Sequence, residues 1–383
     1  MDAVRRRLLR SLGATAAALW LAPPAARAAA RSERRFVFVI QRGAADGLNT
    51  LIPYADPAYA RQRGALAIAA ADAHRLDGLF ALHPALEQTA RMAAAGQALG
   101  VHAVATPYRE RSHFDGQNVL ESGASAPYAL ADGWLNRLIG LLPPAADDAL
   151  ALAPTVPLAL RGRAPVSSYA PSALPPPADD LLVRVSELYA ADAQLHALWR
   201  SALQTRAVAG TDGSTRRDAA GLGQLAARLL AEPDGPRIAM LETGGWDTHG
   251  NQNPRLAAQL KQLDALLAAL RDGLGPAWQH SVVLVATEFG RTVAVNGTRG
   301  TDHGTGAAAL LVGGALRGGR VLADWPGLQP AALHDGRDLR ATTPLPALIA
   351  SVTAQVFELD PQRVAATLFP QTPGLRLIDG LVS

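Results

Sequence analysis

Short apolar runs separated by stretches of helical spacing organise this chain. Phe36 to Ile40, Leu99 to Ala105, Arg237 to Glu242, Ser281 to Thr287 and Ala307 to Val312 are brief and largely apolar. Runs of that length without alternation belong to strands buried on both faces. Between them, Ala85 to Ala95, Ala178 to Arg206, Arg217 to Leu230, Arg255 to Gly273 and Pro344 to Phe357 carry the spacing of amphipathic helices, and Arg109 to Asp115 starts another running toward Gly123. Strands alternating with helices predict an α/β fold, a doubly wound and mostly parallel sheet with helices on both faces. Leu141 to Pro177, rich in Ala and Pro with one strand-like piece near Val156 to Leu160, reads as an excursion from the sheet. Gly210 to Thr215 (GTDGST) reads as a polar hinge, so that 141–235 become an insertion within one domain spanning 34–383.

The first 28 residues stand apart from this pattern. Arg5-Arg6-Arg7-Leu8-Leu9-Arg10 fits the twin-arginine export pattern, Leu12 to Ala22 is an apolar run too short to span a bilayer, and Ala26-Arg27-Ala28 is a small-x-small cleavage site. The expectation is a removable leader, a periplasmic or other extracytoplasmic location, and no integral membrane span afterwards. The remaining 355 residues carry 31 basic and 32 acidic side chains, and Lys261 is their only lysine. A net charge near zero points to no nucleic-acid or membrane-surface partner, and oligomeric state is left open. The absence of cysteine excludes disulfides, iron–sulfur clusters, thiolate zinc sites and a Cys nucleophile, leaving a metal only His and oxygen ligands.

Polar chemistry clusters where the strands end. Asp46 follows the first run; Ser112, His113 and Asp115 follow the second; Glu242, Asp247 and His249 follow the third, in LETGGWDTHGNQ; Glu288, Arg291, Asp302 and His303 lie between the fourth and fifth. The carboxyl ends of parallel strands share one edge, so these clusters can meet there. Carboxylates with imidazoles suit a divalent metal, Zn, Mn or Fe, or with water Mg or Ca. Such an ion would acidify water or polarise a phosphoryl or sulfuryl oxygen. Each piece also has a plainer reading. Asp46 fits an ordinary turn, Ser112 a helix N-cap, and Glu288 a bridge to Arg291. No Gly-x-Gly-x-x-Gly follows the first strand, which argues against a dinucleotide site.

The leader, FVFVIQRGAADGLNTLIPYADPAYA, RERSHFDGQNVLESG, GGWDTHGNQ, ATEFGRT and DHGTGAAALLVGG together resemble the bacterial exported proteins grouped as domain of unknown function 1501. That family stands distantly beside alkaline phosphatases, sulfatases and cofactor-independent phosphomutases. The resemblance implies an alkaline-phosphatase-like sheet with a metal-assisted ester-transfer site and a small anionic ester as substrate. It implies metal ligands at Asp247, His249, Glu288 and His303, with Asp46, His113, Glu242 and Asp302 as further candidates. Ser112 or His113 would take the covalent role, and Arg291 or Arg111 would neutralise the anion. The pattern wants Asp-His at the fourth strand end, where this chain has Glu288-Phe289. The alternative is a non-enzymatic exported binding or assembly protein that keeps the fold around an altered site.

Overall fold

The computed structural model describes residues 33–143, 149–170, 179–209 and 218–383. The leader, the GTDGST hinge and their expected roles lie outside the described residues. The main sheet is built from β1 (Arg35–Gln41), β2 (Ala98–Ala105), β3 (Ala149–Ala151), β4 (Ser167–Ser168), β5 (Ile238–Thr243), β6 (Ser281–Ala286), β7 (Ala307–Val312) and β8 (Arg320–Leu322). Their order across the sheet is β8-β2-β7-β6-β1-β5-β3-β4, and Thr343–Pro344 adds a short ninth strand against β2. Every neighbouring pair is parallel except those made by β7, which runs against both β6 and β2. The sheet is therefore mostly parallel with one reversed strand.

Helices cover both faces: α1 (Glu87–Ala94), α2 (His113–Ser122), α3 (Trp134–Ile139), α4 (Asp179–Tyr189), α5 (Ala193–Ala209), α6 (Ala219–Ala231), α7 (Gln252–Leu274), α8 (Leu345–Phe357) and α9 (Pro361–Leu368). The period of two in a strand sorts β1 between them. Phe36, Phe38 and Ile40 join a core with α3, α8 and α9, whereas Val37 and Val39 join a separate core with α1, α6 and α7. All five are fully buried. Burial of such a side chain is worth about 1.5–3 kcal/mol, and the Phe38–Trp134 edge contact at 5.0 Å adds about 0.5–1.5 kcal/mol.

Three details depart from the sequence reading. The strand-like piece near Val156 is a 3-10 turn at Leu158–Leu160. The strands in that stretch are β3, which pairs in parallel with β5, and β4, which pairs in parallel with β3, so part of the expected excursion extends the sheet. The helical stretch from Ala178 is broken between α4 and α5, where the Asp192 carboxylate accepts the Leu195 N–H at 2.9 Å and starts a new helix. A separate three-stranded sheet (Leu51–Ile52, Ala81–Leu82, His74–Arg75) was not anticipated, because two-residue strands leave no periodicity to read. No helix among the described residues is long and apolar enough to cross a membrane.

The reversal of β7 positions the site. Running backwards, it begins at the edge where β1, β5 and β6 end, so the residues before it meet the residues after the parallel strands.

Candidate metal centre

Gly290 and Gly304 let the chain continue the β6–β7 pairing beyond the sheet as a narrow antiparallel ribbon. The Gly290 N–H donates to the Thr305 carbonyl at 3.0 Å, the Gly304 N–H to the Gly290 carbonyl at 2.8 Å, and the Thr292 N–H to the Asp302 carbonyl at 2.9 Å. Arg291 and His303 face each other in this ladder. A Cβ on Gly290 would lie 1.8 Å from the Gly306 carbonyl oxygen, so only glycine permits the approach. The spacing of ATEFGRT and DHGTG is thus set by a backbone ladder.

From Trp246 to His249, buried and partly exposed residues alternate. Trp246 and Thr248 are fully buried, and their polar atoms are anchored, Trp246 Nε1 on Thr243 Oγ1 at 3.0 Å and Thr248 Oγ1 on Gln252 Oε1 at 3.0 Å. Alternation then turns Asp247 and His249 together to the opposite, solvent-reached side. Opposite them, His113 is the first residue of α2 and stacks on Phe289 with ring centroids 5.1 Å apart. Phe289, standing where an imidazole was expected, walls His303 as well, at 5.3 Å.

His113, Asp247 and His303 converge, each offering one ligand atom within 4.8 Å of the others. His303 Nε2 lies 3.3 Å from Asp247 Oδ1, and His113 Nε2 lies 3.5 Å from Asp247 Oδ2. His249 lies beside this group of three, with Nε2 2.9 Å from Asp247 Oδ1 and 3.0 Å from His303 Nε2. A tetrahedral ion with bonds of roughly 2.0 Å has ligand–ligand edges of about 3.3 Å, close to these separations. The other ring nitrogen of each imidazole meets an oxygen. His113 Nδ1 is 2.8 Å from Glu288 Oε1, His303 Nδ1 is 2.9 Å from the Arg111 carbonyl, and His249 Nδ1 is 3.3 Å from Asp302 Oδ1. These acceptors favour the proton on Nδ1 and leave the Nε2 lone pairs facing one another. His113 Nε2 is buried with no hydrogen-bond partner. Lone pairs and a carboxylate crowded this closely repel unless a cation or protons lie among them.

The charge balance has identifiable causes. Burial alone would raise the Glu288 carboxyl, but hydrogen bonds from His113, Thr287 and the Gly43 N–H hold it below its ordinary value. Burial would also raise Asp247, and the hydrogen bond and charge of Arg291, helped by His249 and His113, outweigh it and lower it. The Glu288 hydrogen bond raises His113, whereas burial and then the neighbouring His113 lower His303. Hydrogen bonding from Asn296 lowers Asp302.

Several expected site residues are engaged elsewhere. Asp46 is buried, its carboxylate bonded to the fully buried Arg63 and to Gln252, and it caps the turn at Gly47–Thr50 through Leu48 N–H at 3.0 Å. Glu242 accepts two bonds from Arg42, at 2.8 and 2.6 Å, and is not in the converging group. Glu288 and Asp302 touch imidazole Nδ1 atoms from behind, the position of groups that orient ligands. Glu288 pairs with His113 and not with Arg291. The Arg291 side chain is fully buried, with Nη1 on Asp247 Oδ1 at 2.6 Å, Nε on Thr301 Oγ1 at 3.1 Å and Nη2 on the Thr301 carbonyl. It therefore neutralises Asp247 and presents nothing to an incoming anion. Ser112 occupies the N-cap position of α2, but its hydroxyl makes no capping bond. Its N–H donates to Tyr108 Oη at 3.2 Å. Thr301, Gln252 and Asp338, which brace this arrangement, carried no sequence signal.

Among solved structures, the chain is similar to the C-terminal periplasmic domain of EcEptC from Escherichia coli in complex with Zn. The identity is 11%, over 92% of this chain and 93% of that one, with a TM-score of 0.40. It is also similar to the phosphonate monoester hydrolase of Agrobacterium radiobacter, at 12% identity over 90% of this chain and 79% of that one, with a TM-score of 0.34. No curated protein matches the chain. A family model described as "Protein of unknown function (DUF1501)" matches residues 33–368, and the chain belongs to that family.

Proposed function

We propose that this protein is a metal-dependent hydrolase or transferase acting on phosphate or sulfate esters or a related anionic group. The observation that carries the reading is the meeting of three imidazole Nε2 atoms on the Asp247 carboxylate. His113, Asp247 and His303 would hold one divalent ion, with His249 beside them as a further candidate, and a nitrogen-rich donor set favours zinc over the magnesium, calcium or manganese that oxygen ligands suit. The ion, when bound, would acidify a water and polarise the ester oxygen. Glu288, Asp302 and the Arg111 carbonyl keep the imidazoles aimed, and Arg291 keeps Asp247 ionised. Asp247 and His249 are about half-exposed, so the centre opens to solvent on their side. Ser112, one residue from His113 and free of capping duty, is the candidate side-chain nucleophile; comparing Ser112→Ala with the wild type separates attack by this hydroxyl from attack by water.

The test is protein loaded with zinc or manganese and assayed on aryl phosphate and aryl sulfate esters. Turnover that disappears in His303→Ala is expected. No such turnover with any metal would overturn the ester-processing reading. A second reading is favoured by the inward commitment of Arg291, which leaves no guanidinium from that residue to meet an anion. It is a metal-holding protein without catalysis, and it predicts stoichiometric zinc with no turnover.

A further inference from the structure

Arg111 combines three features that its neighbours do not share. Its backbone is left-handed, with φ at +64°, a conformation that a residue bearing a Cβ resists. Its carbonyl accepts the hydrogen bond from His303 Nδ1 at 2.9 Å. Its guanidinium is turned away from the metal centre, with Nε and Nη2 both on Asp338 Oδ2, at 3.0 and 2.7 Å. Asp338 is fully buried and receives a second cation, Arg337 Nη1, at 3.1 Å on its other oxygen.

The strand of chain carrying Asp338 is itself tied to the site. Asp338 bridges Thr292, the Val293 N–H donates to the Arg337 carbonyl at 3.1 Å, and the Leu339 carbonyl accepts the Gly306 N–H at 3.0 Å and Thr305 Oγ1 at 2.9 Å. Asp338 is thus fixed relative to the ribbon that carries His303. A guanidinium fork gripping that fixed, desolvated carboxylate holds the Arg111 main chain in a conformation it would otherwise leave.

We propose that Arg111 is a positioning residue, whose pairing with Asp338 holds a strained carbonyl against His303 Nδ1 and so selects the His303 tautomer that offers Nε2 to the metal. The carbonyl accepts and cannot donate, so it selects Nδ1–H over the Nε2–H form. This assigns Arg111 a role different from neutralising a substrate anion. The inference rests on the metal-centre reading for its consequence, though not for its geometry.

The experiment uses the full chain and two variants. Arg111→Ala keeps the strain and loses the fork; Arg111→Gln keeps the strain, loses the charge and one of the two donors, and keeps the test available if the alanine variant does not fold. Long-range proton–nitrogen spectra of the metal-free protein read the His303 tautomer. Zinc affinity is read by competition with a chromophoric chelator. In both variants the Nδ1–H form of His303 should give way to a mixture of tautomers, and zinc affinity should fall about 10–100-fold, the scale of lost outer-shell support. A wild-type tautomer in either variant that folds overturns the proposal, as does zinc affinity within twofold of the wild type. If the wild type binds no zinc but the tautomer changes in the variants, the positioning role stands and the metal reading falls.

Discussion

Replacing Glu288 by glutamine isolates the charge behind His113 while sparing the fold. Glu288 Oε1 accepts from Gly43 N–H at 2.9 Å, His113 Nδ1 at 2.8 Å and Gln117 Nε2 at 3.3 Å, and Oε2 accepts from Thr287 Oγ1 at 2.8 Å. A glutamine with its oxygen in the Oε1 place keeps the first three bonds. Its NH2 group then faces Thr287 Oγ1, which can accept once its own proton turns from this side chain to the Gln41 carbonyl, 2.7 Å away. What is lost is the charge-assisted half of the bond to His113, about 1–1.5 kcal/mol when such bonds are roughly twice as strong as neutral ones. Loss of outer-shell support costs about 10–100-fold in metal affinity, or about 1.4–2.7 kcal/mol, and the two estimates overlap near tenfold. The assay is zinc competition with a chromophoric chelator at fixed pH, with the melting temperature of the metal-free protein as a fold control. An affinity within twofold of the wild type in a folded variant refutes the idea that Glu288 orients His113 for a metal. A loss above about a thousandfold refutes it from the other side, because Glu288 would then be a ligand itself.

Other expectations follow from the same structure. Asp46→Asn leaves Arg63 buried without its counter-charge and should cost about 3–5 kcal/mol in denaturant unfolding, with zinc stoichiometry unchanged; loss of the metal with stability intact would make Asp46 a ligand after all. Burial holds His102 and His83 at about 4 from an ordinary 6.5, and His102 is locked neutral, with Nε2 on the Leu51 carbonyl and Nδ1 accepting the Ala103 N–H, both at 2.8 Å. The unfolded chain therefore takes these protons first as pH falls. The stability is present above pH 6.5 and lost on the way to pH 4, by up to about 3 kcal/mol per group. His102→Gln should flatten that part of the stability–pH curve, and an unchanged slope would remove His102 from the account.

The fold was legible where burial on both faces left continuous apolar runs, as in β1, β2, β5, β6 and β7. The direction of β7 was not, because an apolar run reads the same either way along the chain. β3 escaped notice because three residues carry too little pattern against an Ala- and Pro-rich background. At the site, strand-end clustering singled out His113, Asp247 and His303, which the fold does bring together. It could not tell which carboxylates meet Nε2 atoms and which meet Nδ1 atoms. Glu288 and Asp302 look like ligands in sequence, and only their distances to Nδ1 atoms place them behind the imidazoles. Arg63 lies in an unremarkable basic stretch, so nothing announced that it would occupy Asp46. Arg291 and Arg111 read as free cations because a sequence does not reveal which carboxylate, Asp247 or Asp338, each has already met.

The converging residues come from far apart along the chain, Asp247 and His303 being 56 positions from one another and His113 lying on the far side of three more strands. No fragment of the unfolded chain holds two of the long-separated imidazoles near the same point. A tightly held ion would therefore reward only the completed sheet, and its binding energy would be spent on global stability as much as on chemistry. Under that linkage, metal supply would become a determinant of how long the protein survives unfolding and proteolysis. Chelation would shorten its lifetime as well as silence its centre.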